Sequence, residues 1–143
     1  MNTSPEPTES SITRSLVPDH RRVTVASQLF GVRFPLRLEP TVFGFASHLC
    51  ADYMGGYWQF WTLSNGGFYM APESGSRFMI SCENGYAGTL SADAFGITCC
   101  LYSYSHLAFR EDNFAAVCAD HFHLLREFAL DHEEASGIFA ATD

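Results

Sequence analysis

Cys118, His121 and His123 carry side chains that can bind zinc, and they lie within six positions of one another in the 143-residue chain. A zinc site needs three or four ligands that converge. Cys118 and His121 are one helical turn apart and share a face, whereas His123 points elsewhere. His121 also falls on an apolar face, where a hydrogen-bonded core histidine is commoner than a metal ligand. The spacing therefore predicts no metal site.

His48, Cys50 and Asp52 have the residue types of a base, a nucleophile and an acid. On one helix, residues two positions apart do not face each other, so the three do not assemble locally into a catalytic group. No phosphate-binding loop, dinucleotide-binding glycine pattern or nucleophile elbow occurs in the chain. We therefore predict a protein that is not an enzyme and has no cofactor, with a hydrolase that uses Cys or His as a weaker alternative.

Acidic residues are concentrated at the C-terminal end of the chain. The net charge is −8, from 16 acidic and 8 basic residues. Residues 111–143 contain eight of the acids and a single Arg, so the rest of the chain is close to neutral. Because affinity for phosphate comes from Lys and Arg, the composition argues against a basic nucleic-acid binder, and we expect no direct contact with nucleic acid.

The segment 111–132 is predicted to form an amphipathic helix whose outer face is acidic. The carboxylates on this face, called here the acidic stripe, are Asp112, Asp120, Glu127, Asp131 and Glu134. A solvated helix face is the favoured interpretation, and an imitation of DNA is the alternative. Duplex DNA would carry about 19 charges over the roughly 33 Å that the stripe spans, so the stripe is a sparse copy.

Hydrophobic periodicity and turn residues predict a single compact α+β domain, in which a small antiparallel β-meander packs against several helices. The length suits one domain, and a hydrophobic fraction of 47% suffices for a core. The predicted elements, in chain order, are a helix over 20–30, an extended segment over 32–38, a helix over 40–54, strands over 57–63, 67–71, 77–82 and 86–90, and helices over 91–109 and 111–132. Because residues 94–109 carry no charge, the helix over 91–109 is predicted to be buried at the centre.

Residues 1–18 are rich in Ser, Thr, Pro and Glu and are predicted to form a flexible tail before the domain of residues 19–143. The tail lacks the apolar stretch of a secretory signal, and no run of about 18 apolar residues suggests a membrane span. The five cysteines include no CxxC pair and lie among apolar residues. They predict buried, reduced thiols in a cytoplasmic protein, with a disulfide between two of them as the alternative.

Asn65-Gly66 lies between two aromatic-rich strands and predicts a two-residue hairpin turn. With that turn, Ser64 faces Gly67 and Thr62 pairs with Tyr69. One face of the hairpin then carries Leu63, Phe68, Trp61, Met70 and Tyr57, and the other carries Thr62, Tyr69, Phe60, Ala71 and Trp58. Both faces are bulky. Helices that cover both are the favoured arrangement, and an exposed aromatic patch for a partner is the alternative.

The hairpin and the segment before it carry a specific resemblance to a known family. The residues that carry it are Leu49-Cys50-Ala51-Asp52-Tyr53, Gly55-Gly56-Tyr57-Trp58, Phe60, and Thr62-Leu63-Ser64-Asn65-Gly66-Gly67-Phe68-Tyr69-Met70-Ala71-Pro72. On these residues the chain resembles the ArdB/KlcA antirestriction family of plasmids, phages and genomic islands. The likeness extends from about Val17 to the C-terminus. Gln59 and Trp61 depart from the family pattern, in which an acidic residue and Tyr are common at those positions.

The resemblance implies a small cytoplasmic α+β protein that protects incoming unmodified DNA from type I restriction–modification enzymes. It carries over no catalytic residues, and the family is not regarded as an overt DNA mimic. We therefore predict inhibition by protein contact, made directly or through a host factor, by a monomer or weak dimer. The predicted contact residues are Asp52, Tyr53, Trp58, Asn65 and Tyr69. The alternative is a DNA mimic that acts through Asp112, Asp120, Glu127 and Asp131.

Overall fold

The computed structural model describes residues 11–143, which form two small antiparallel sheets and five α-helices. The strands are β1 (Arg14–Leu16), β2 (Trp58–Leu63), β3 (Phe68–Pro72), β4 (Arg77–Ser81) and β5 (Ala87–Ser91). The α-helices are α1 (Arg22–Phe30), α2 (Glu39–Leu49), α3 (Ala92–Ala108), α4 (Asn113–Leu130) and α5 (Ala135–Thr142). A short 3₁₀ turn covers Asp19–Arg21, and a π-helical turn covers Phe34–Leu38. The predicted α+β fold class is confirmed.

Helix α3 is the centre of the fold, as its lack of charge predicted. It contacts α2, α4, α5 and β3, and twelve of its residues are buried. Ser91 begins the helix, because its Oγ accepts a hydrogen bond from the Ala94 N–H over 3.1 Å. At Gly96 the helix approaches β3 so closely that a Cβ would overlap the backbone of Ala71. Helix α3 is therefore the central packing surface for the elements that contact it.

The predicted four-stranded meander is instead divided between two sheets. Strands β1, β2 and β3 form one sheet in that order, and β4 pairs only with β5. Pro72 ends β3, and the exposed residues 73–76 lead the chain away from it. The β4–β5 hairpin then packs on α3 and α5, where Ile80 and Leu90 are buried. The strands were predicted, but their distribution between sheets was not.

The predicted flexible tail is wrong for residues 13–17. Strand β1 pairs antiparallel with β2. The Thr13 N–H donates to Ser64 Oγ over 2.9 Å, and the Val17 N–H donates to the Phe60 carbonyl over 2.8 Å. Val17 is buried. The partner strand lies more than 40 residues along the chain, so the local composition could not indicate the pairing. Residues 1–10 of the predicted tail lie outside the described residues.

The predicted two-residue hairpin turn is also wrong. The Leu63 N–H donates to the Gly67 carbonyl over 2.9 Å, which closes a three-residue loop of Ser64, Asn65 and Gly66. Gly66 supplies the positive φ of 93° that this loop requires. The Asn65 side chain accepts a hydrogen bond from the Gly67 N–H and donates to the Leu124 carbonyl on α4 over 2.9 Å. A distant helix therefore helps to choose the turn.

The longer loop shifts the register of β2 and β3 by one residue. Trp61 now pairs with Tyr69 and Thr62 pairs with Phe68. Such a shift changes which side chains share a face. Phe60 and Phe68 are buried on one side of the sheet, and Tyr69 is buried on the other. Because bulky residues occupy both sides, the hydrophobic pattern could not select the register.

The prediction of an extended segment over residues 32–38 is wrong. Phe34–Leu38 instead form a π-helical turn that continues into α2. Phe34 and Leu38 are both buried, and a spacing of four residues places them on one side of a helical turn. Helix α2 ends at Leu49 rather than beside Gly55, since Cys50 adopts an extended conformation. Within residues 11–143, no helix combines the length and apolarity needed to cross a membrane.

Candidate functional site

Residues 50–57, called here the 50–57 loop, connect α2 to β2 and are anchored by Tyr53. The Tyr53 N–H donates to the Cys50 carbonyl over 3.1 Å, which closes a turn. The Tyr53 hydroxyl accepts a hydrogen bond from the indole Nε1–H of Trp58 over 2.9 Å. The two rings meet edge to face, with centroids 6.0 Å apart. Because Trp58 is buried, these contacts fix the loop to the core.

Gly55 and Gly56 give the 50–57 loop a backbone conformation in which the side chain of Met54 points into solvent. Gly55 and Gly56 have φ values of 90° and 130°, a region that other residues rarely adopt. Asp52 is exposed, and Met54 is 94% exposed. A single exposed apolar side chain is common on protein surfaces, so Met54 is informative only together with apolar surface next to it.

A cavity of about 360 Å³ lies between the 50–57 loop and β4. Tyr53 and Phe78 are among the residues that line it, and Met54 and Met79 line it as well. Met79 is 68% exposed. Thioether side chains adapt to irregular apolar surfaces. The loop, the cavity and Met79 together, called here the loop surface, form an accessible and partly apolar concave surface.

Charge on the loop surface comes from Asp52 and Arg77. Arg77 donates to the Thr89 carbonyl over 3.2 Å and lies 3.5 Å from a carboxylate oxygen of Glu134. Asp52 forms no ion pair within residues 11–143. Its carboxylate is therefore exposed to solvent without a basic partner among the described residues.

Of the five predicted contact residues, only Asp52 and Tyr53 are both accessible and close together, since Trp58 contacts Tyr53 but is buried. Asp52 is exposed and Tyr53 partly exposed on the loop surface. Asn65 lies beyond the far end of β2, and the length of that strand places it roughly 17 Å from the 50–57 loop. The predicted contact roles of Trp58 and Tyr69 are inconsistent with their exposures of 2% and 0%. Helices and neighbouring strands cover both faces of the hairpin, so the alternative of an exposed aromatic patch is wrong.

A second group of polar residues, called here the Asp93 cluster, was not predicted as a site. Arg14 Nη1 lies 2.7 Å from both the Tyr69 hydroxyl and Asp93 Oδ1. The Tyr69 hydroxyl donates to the same Asp93 oxygen over 2.7 Å. His132 Nε2 lies 2.8 Å from Asp93 Oδ2. The cluster joins β1, β3, α3 and the α4–α5 connection, which local sequence patterns could not show to be adjacent.

Each polar side chain of the Asp93 cluster forms a hydrogen bond or ion pair with another member of the cluster or with the neighbouring backbone. His132 Nδ1 accepts a hydrogen bond from the Glu134 N–H over 2.9 Å, so Nε2 of the neutral ring carries the proton that Asp93 accepts. Burial raises the pKa of Asp93, but hydrogen bonds from His132 and Tyr69 and the charge of Arg14 lower it overall. Burial and the Asp93 carboxylate raise the pKa of Tyr69. The arrangement is that of a structural ion pair network.

The acidic stripe is partly neutralised within the fold. Asp112 caps α4 by accepting the Ala115 N–H over 2.9 Å, and it lies 2.9 Å from Arg37. Glu134 accepts hydrogen bonds from the backbone and hydroxyl of Ser91. Of the five carboxylates of the stripe, Asp120, Glu127 and Asp131 are exposed and form no ion pair within residues 11–143. The stripe is therefore sparser as a copy of DNA than the sequence indicated.

The other reactive side chains do not assemble into a site. Burial raises the pKa of Cys118 to about 11 and lowers the pKa of His121, whose ring packs 4.6 Å from that of Phe30. His123 is exposed. Within residues 11–143, no three ligand-type side chains are placed to hold a metal ion. All five cysteines are free and buried, which confirms the predicted buried thiols.

Comparisons with known proteins show the family to which the chain belongs. A family model described as antirestriction protein matches residues 51–143, and the chain belongs to that family. It is similar to an antirestriction protein KlcA of Escherichia coli, with 40% identity and full coverage of both chains. A second KlcA of Escherichia coli is 49% identical over 111 residues, which are 76% of each chain.

A solved structure extends the likeness to three dimensions. It belongs to work on the KlcA and ArdB proteins that describes a novel fold and antirestriction activity against type I DNA restriction systems in vivo but not in vitro. That structure matches this chain with a TM-score of 0.86 and 40% identity, over the whole of both chains. The identification of the family from the hairpin residues is therefore confirmed.

Proposed function

We propose that this protein relieves type I restriction in the cell by contact with a protein, without catalysis. The observation that carries the proposal is its full-length likeness to a structure whose source describes antirestriction activity in vivo. The same source describes no activity in vitro. An inhibitor that bound the purified enzyme tightly would act in vitro, so contact through an additional host component is favoured over direct contact.

The loop surface is the proposed contact site. It combines the exposed Asp52, Met54 and Met79, and Tyr53 fixes the loop before a partner arrives. Pre-organisation lowers the entropic cost of binding. The partner segment is expected to present an apolar side chain next to a basic one. The protein is proposed to act as a monomer or weak dimer in the cytoplasm.

The deciding experiment is the plating of unmodified phage on cells that carry a type I system, with and without this protein. We expect plating efficiency to rise toward that of cells without the system, while phage that already carry the modification plate equally in both strains. Progeny phage from the protected cells should also be modified. If the folded, expressed protein leaves plating unchanged, the proposal fails.

The alternative of DNA mimicry is tested on the carboxylates that the fold does not use. A triple variant with Asp120→Asn, Glu127→Gln and Asp131→Asn removes them and leaves the helix cap at Asp112 intact. Contact through the loop surface predicts near-normal protection by this variant. Mimicry predicts that protection is lost. The alternative has less support, because Asp112 and Glu134 are engaged by Arg37 and Arg77.

A further inference from the structure

A second cavity, called here the α1–α2 cleft, lies on the N-terminal part of the domain and has a volume of about 440 Å³. Nine of the ten residues that line it fall between Arg22 and Glu39, outside the segment that matches the family model. It is therefore distinct from the loop surface. Small-molecule sites in proteins have volumes of about 300–1,000 Å³ and mostly apolar walls.

The walls of the α1–α2 cleft are mostly apolar, both at its floor and at its mouth. Phe34 and Phe60 are buried and form part of its lining, as does Ala26. Val23 is 84% exposed and Val32 is also largely exposed, and both line the cleft. An apolar cleft whose mouth is also apolar provides burial for a ligand that the chain itself does not supply.

The backbone around the cleft departs from regular helix. Gly31 ends α1 with a φ of 65°, and the chain continues as the π-helical turn before α2 begins. π-Helical turns are rare and occur frequently at functional sites. Here the wide turn and the glycine separate α1 from α2, and the cleft lies between them.

The two charged residues of the cleft differ in how they are used. Arg22 Nη1 donates to the Trp58 carbonyl over 2.7 Å, and its guanidinium lies 3.7 Å from the centre of the Phe60 ring. Arg22 is therefore held against the sheet. Glu39 is partly buried, and within residues 11–143 its carboxylate makes no hydrogen bond or ion pair of 4.0 Å or less. Burial raises the pKa of Glu39, against the opposing effect of Arg22.

We propose that the α1–α2 cleft binds a small apolar molecule that carries a terminal N–H donor group, with Glu39 as the acceptor. The Glu39 carboxylate borders the apolar walls and has no hydrogen-bond donor within residues 11–143, so an ammonium or amide N–H from a ligand would give it a charge-assisted hydrogen bond. The apolar body of the ligand would lie between Val23, Val32 and Phe34. A ligand with a carboxylate in place of the donor would face Glu39 with like charge.

The test uses three small probes that share one branched alkyl body. They are 3-methylbutylammonium, 3-methylbutanamide and 3-methylbutanoate, titrated into the ¹⁵N-labelled full chain and followed by NMR. We expect saturable shifts at the amides of Ala26, Gly31 and Val32 for the ammonium and amide probes. The carboxylate probe should bind about tenfold more weakly or worse.

Two variants separate the donor contact from the apolar contact. Glu39→Gln keeps an oxygen acceptor but loses the charge, so the ammonium probe should lose about tenfold in affinity while the amide probe changes little. Ser27→Trp places a large side chain on the exposed rim of the cleft and should abolish binding of all probes. Unchanged amide shifts elsewhere would show that each variant is folded.

Three results would overturn the proposal. They are the absence of saturable shifts with every probe, equal affinity for the carboxylate and ammonium probes, and shifts that persist in Ser27→Trp. The phage-plating experiment tests a different surface, so failure of either proposal leaves the other one standing.

Discussion

The Asp93 cluster and the 50–57 loop use their side chains in opposite ways. In the cluster, Arg14, Tyr69, Asp93 and His132 satisfy one another across four segments of the chain. In the loop, Tyr53 is tied to the core, and the neighbouring Asp52 and Met54 face water. The ionisable residues of the cluster thus bond to one another within the fold, whereas Asp52 and Met54 on the loop remain exposed to solvent.

This difference distinguishes residues that stabilise the fold from residues that are exposed to solvent and contribute little to stability. Buried polar networks are costly to break, because each lost partner leaves an unsatisfied group. Exposed side chains on a loop contribute little to stability, and replacing them changes the free energy of unfolding only slightly. Changes in the buried region should therefore lower stability, and changes in the loop should alter function at nearly constant stability.

The largest effect is expected for Gly96→Ala, in the buried region where α3 crosses β3. The added Cβ would overlap the Ala71 backbone and the Met70 carbonyl oxygen, so we expect a loss of about 3 kcal/mol or more in the free energy of unfolding. The matched control is Gly44→Ala on α2, where a Cβ has no neighbour within 4 Å. The control should be neutral or slightly stabilising, by up to about 1 kcal/mol. Urea unfolding measures both, and equal stabilities of the two variants would contradict the close approach.

A smaller loss, of about 2 kcal/mol, is expected for Asp93→Ala, because Arg14, Tyr69 and His132 all lose their shared acceptor. The control is Asp120→Ala, an exposed carboxylate on α4 whose loss should cost at most about 0.5 kcal/mol. Urea unfolding at pH 7 compares them. A loss for Asp93→Ala no greater than that for the control would show that the cluster contributes nothing to the fold.

The stabilisation from Asp93 should also depend on pH. Its pKa in the folded protein is lowered overall, so its contribution is fully present above the ordinary carboxyl pKa of about 4 and is lost as the pH falls through the lower folded-state value. The difference in unfolding free energy between the wild type and Asp93→Asn should therefore shrink between pH 7 and about pH 3. A difference that is constant over this range would contradict an ionised Asp93 in the cluster.

The smallest effect on stability is expected for Met54→Ser, which should change the free energy of unfolding by at most about 0.5 kcal/mol. Its effect on function should be larger, with phage protection reduced by roughly tenfold or more, the cost of losing one well-packed interface residue. Leu130→Ser is the control, since Leu130 is another exposed apolar residue but lies at the end of α4, away from the loop surface. Full protection by Met54→Ser would remove the loop surface from the proposed mechanism.

Much of the fold could be predicted from local patterns. The charge-free segment before Phe109 predicted the buried helix α3, and Ser91 and Asp112 were correctly placed at helix starts. Four of the five strands followed from aromatic and β-branched runs between turn residues. Strand β1 was missed, because nothing in the composition around Arg14 distinguishes a strand from a tail.

The candidate site was predicted less well. The sequence emphasised the segment from Leu49 to Trp58, and the structure places Asp52 and Tyr53 on one surface. It did not indicate Met54 and Met79, which lie 25 positions apart in the chain and meet only across the cavity. Trp58 and Tyr69 were predicted to contact a partner, but both are buried in the core.

The sequence by itself determined the family, the types of most elements and the buried position of α3, because these depend on residue types over short distances. The tertiary structure alone decided the register of the hairpin, the division of the strands between two sheets and the Asp93 cluster. Each of these depends on contacts between residues far apart in the chain, such as Asn65 with Leu124 or Arg14 with Asp93. These contacts form only when the whole domain has packed, so no local sequence pattern could predict them.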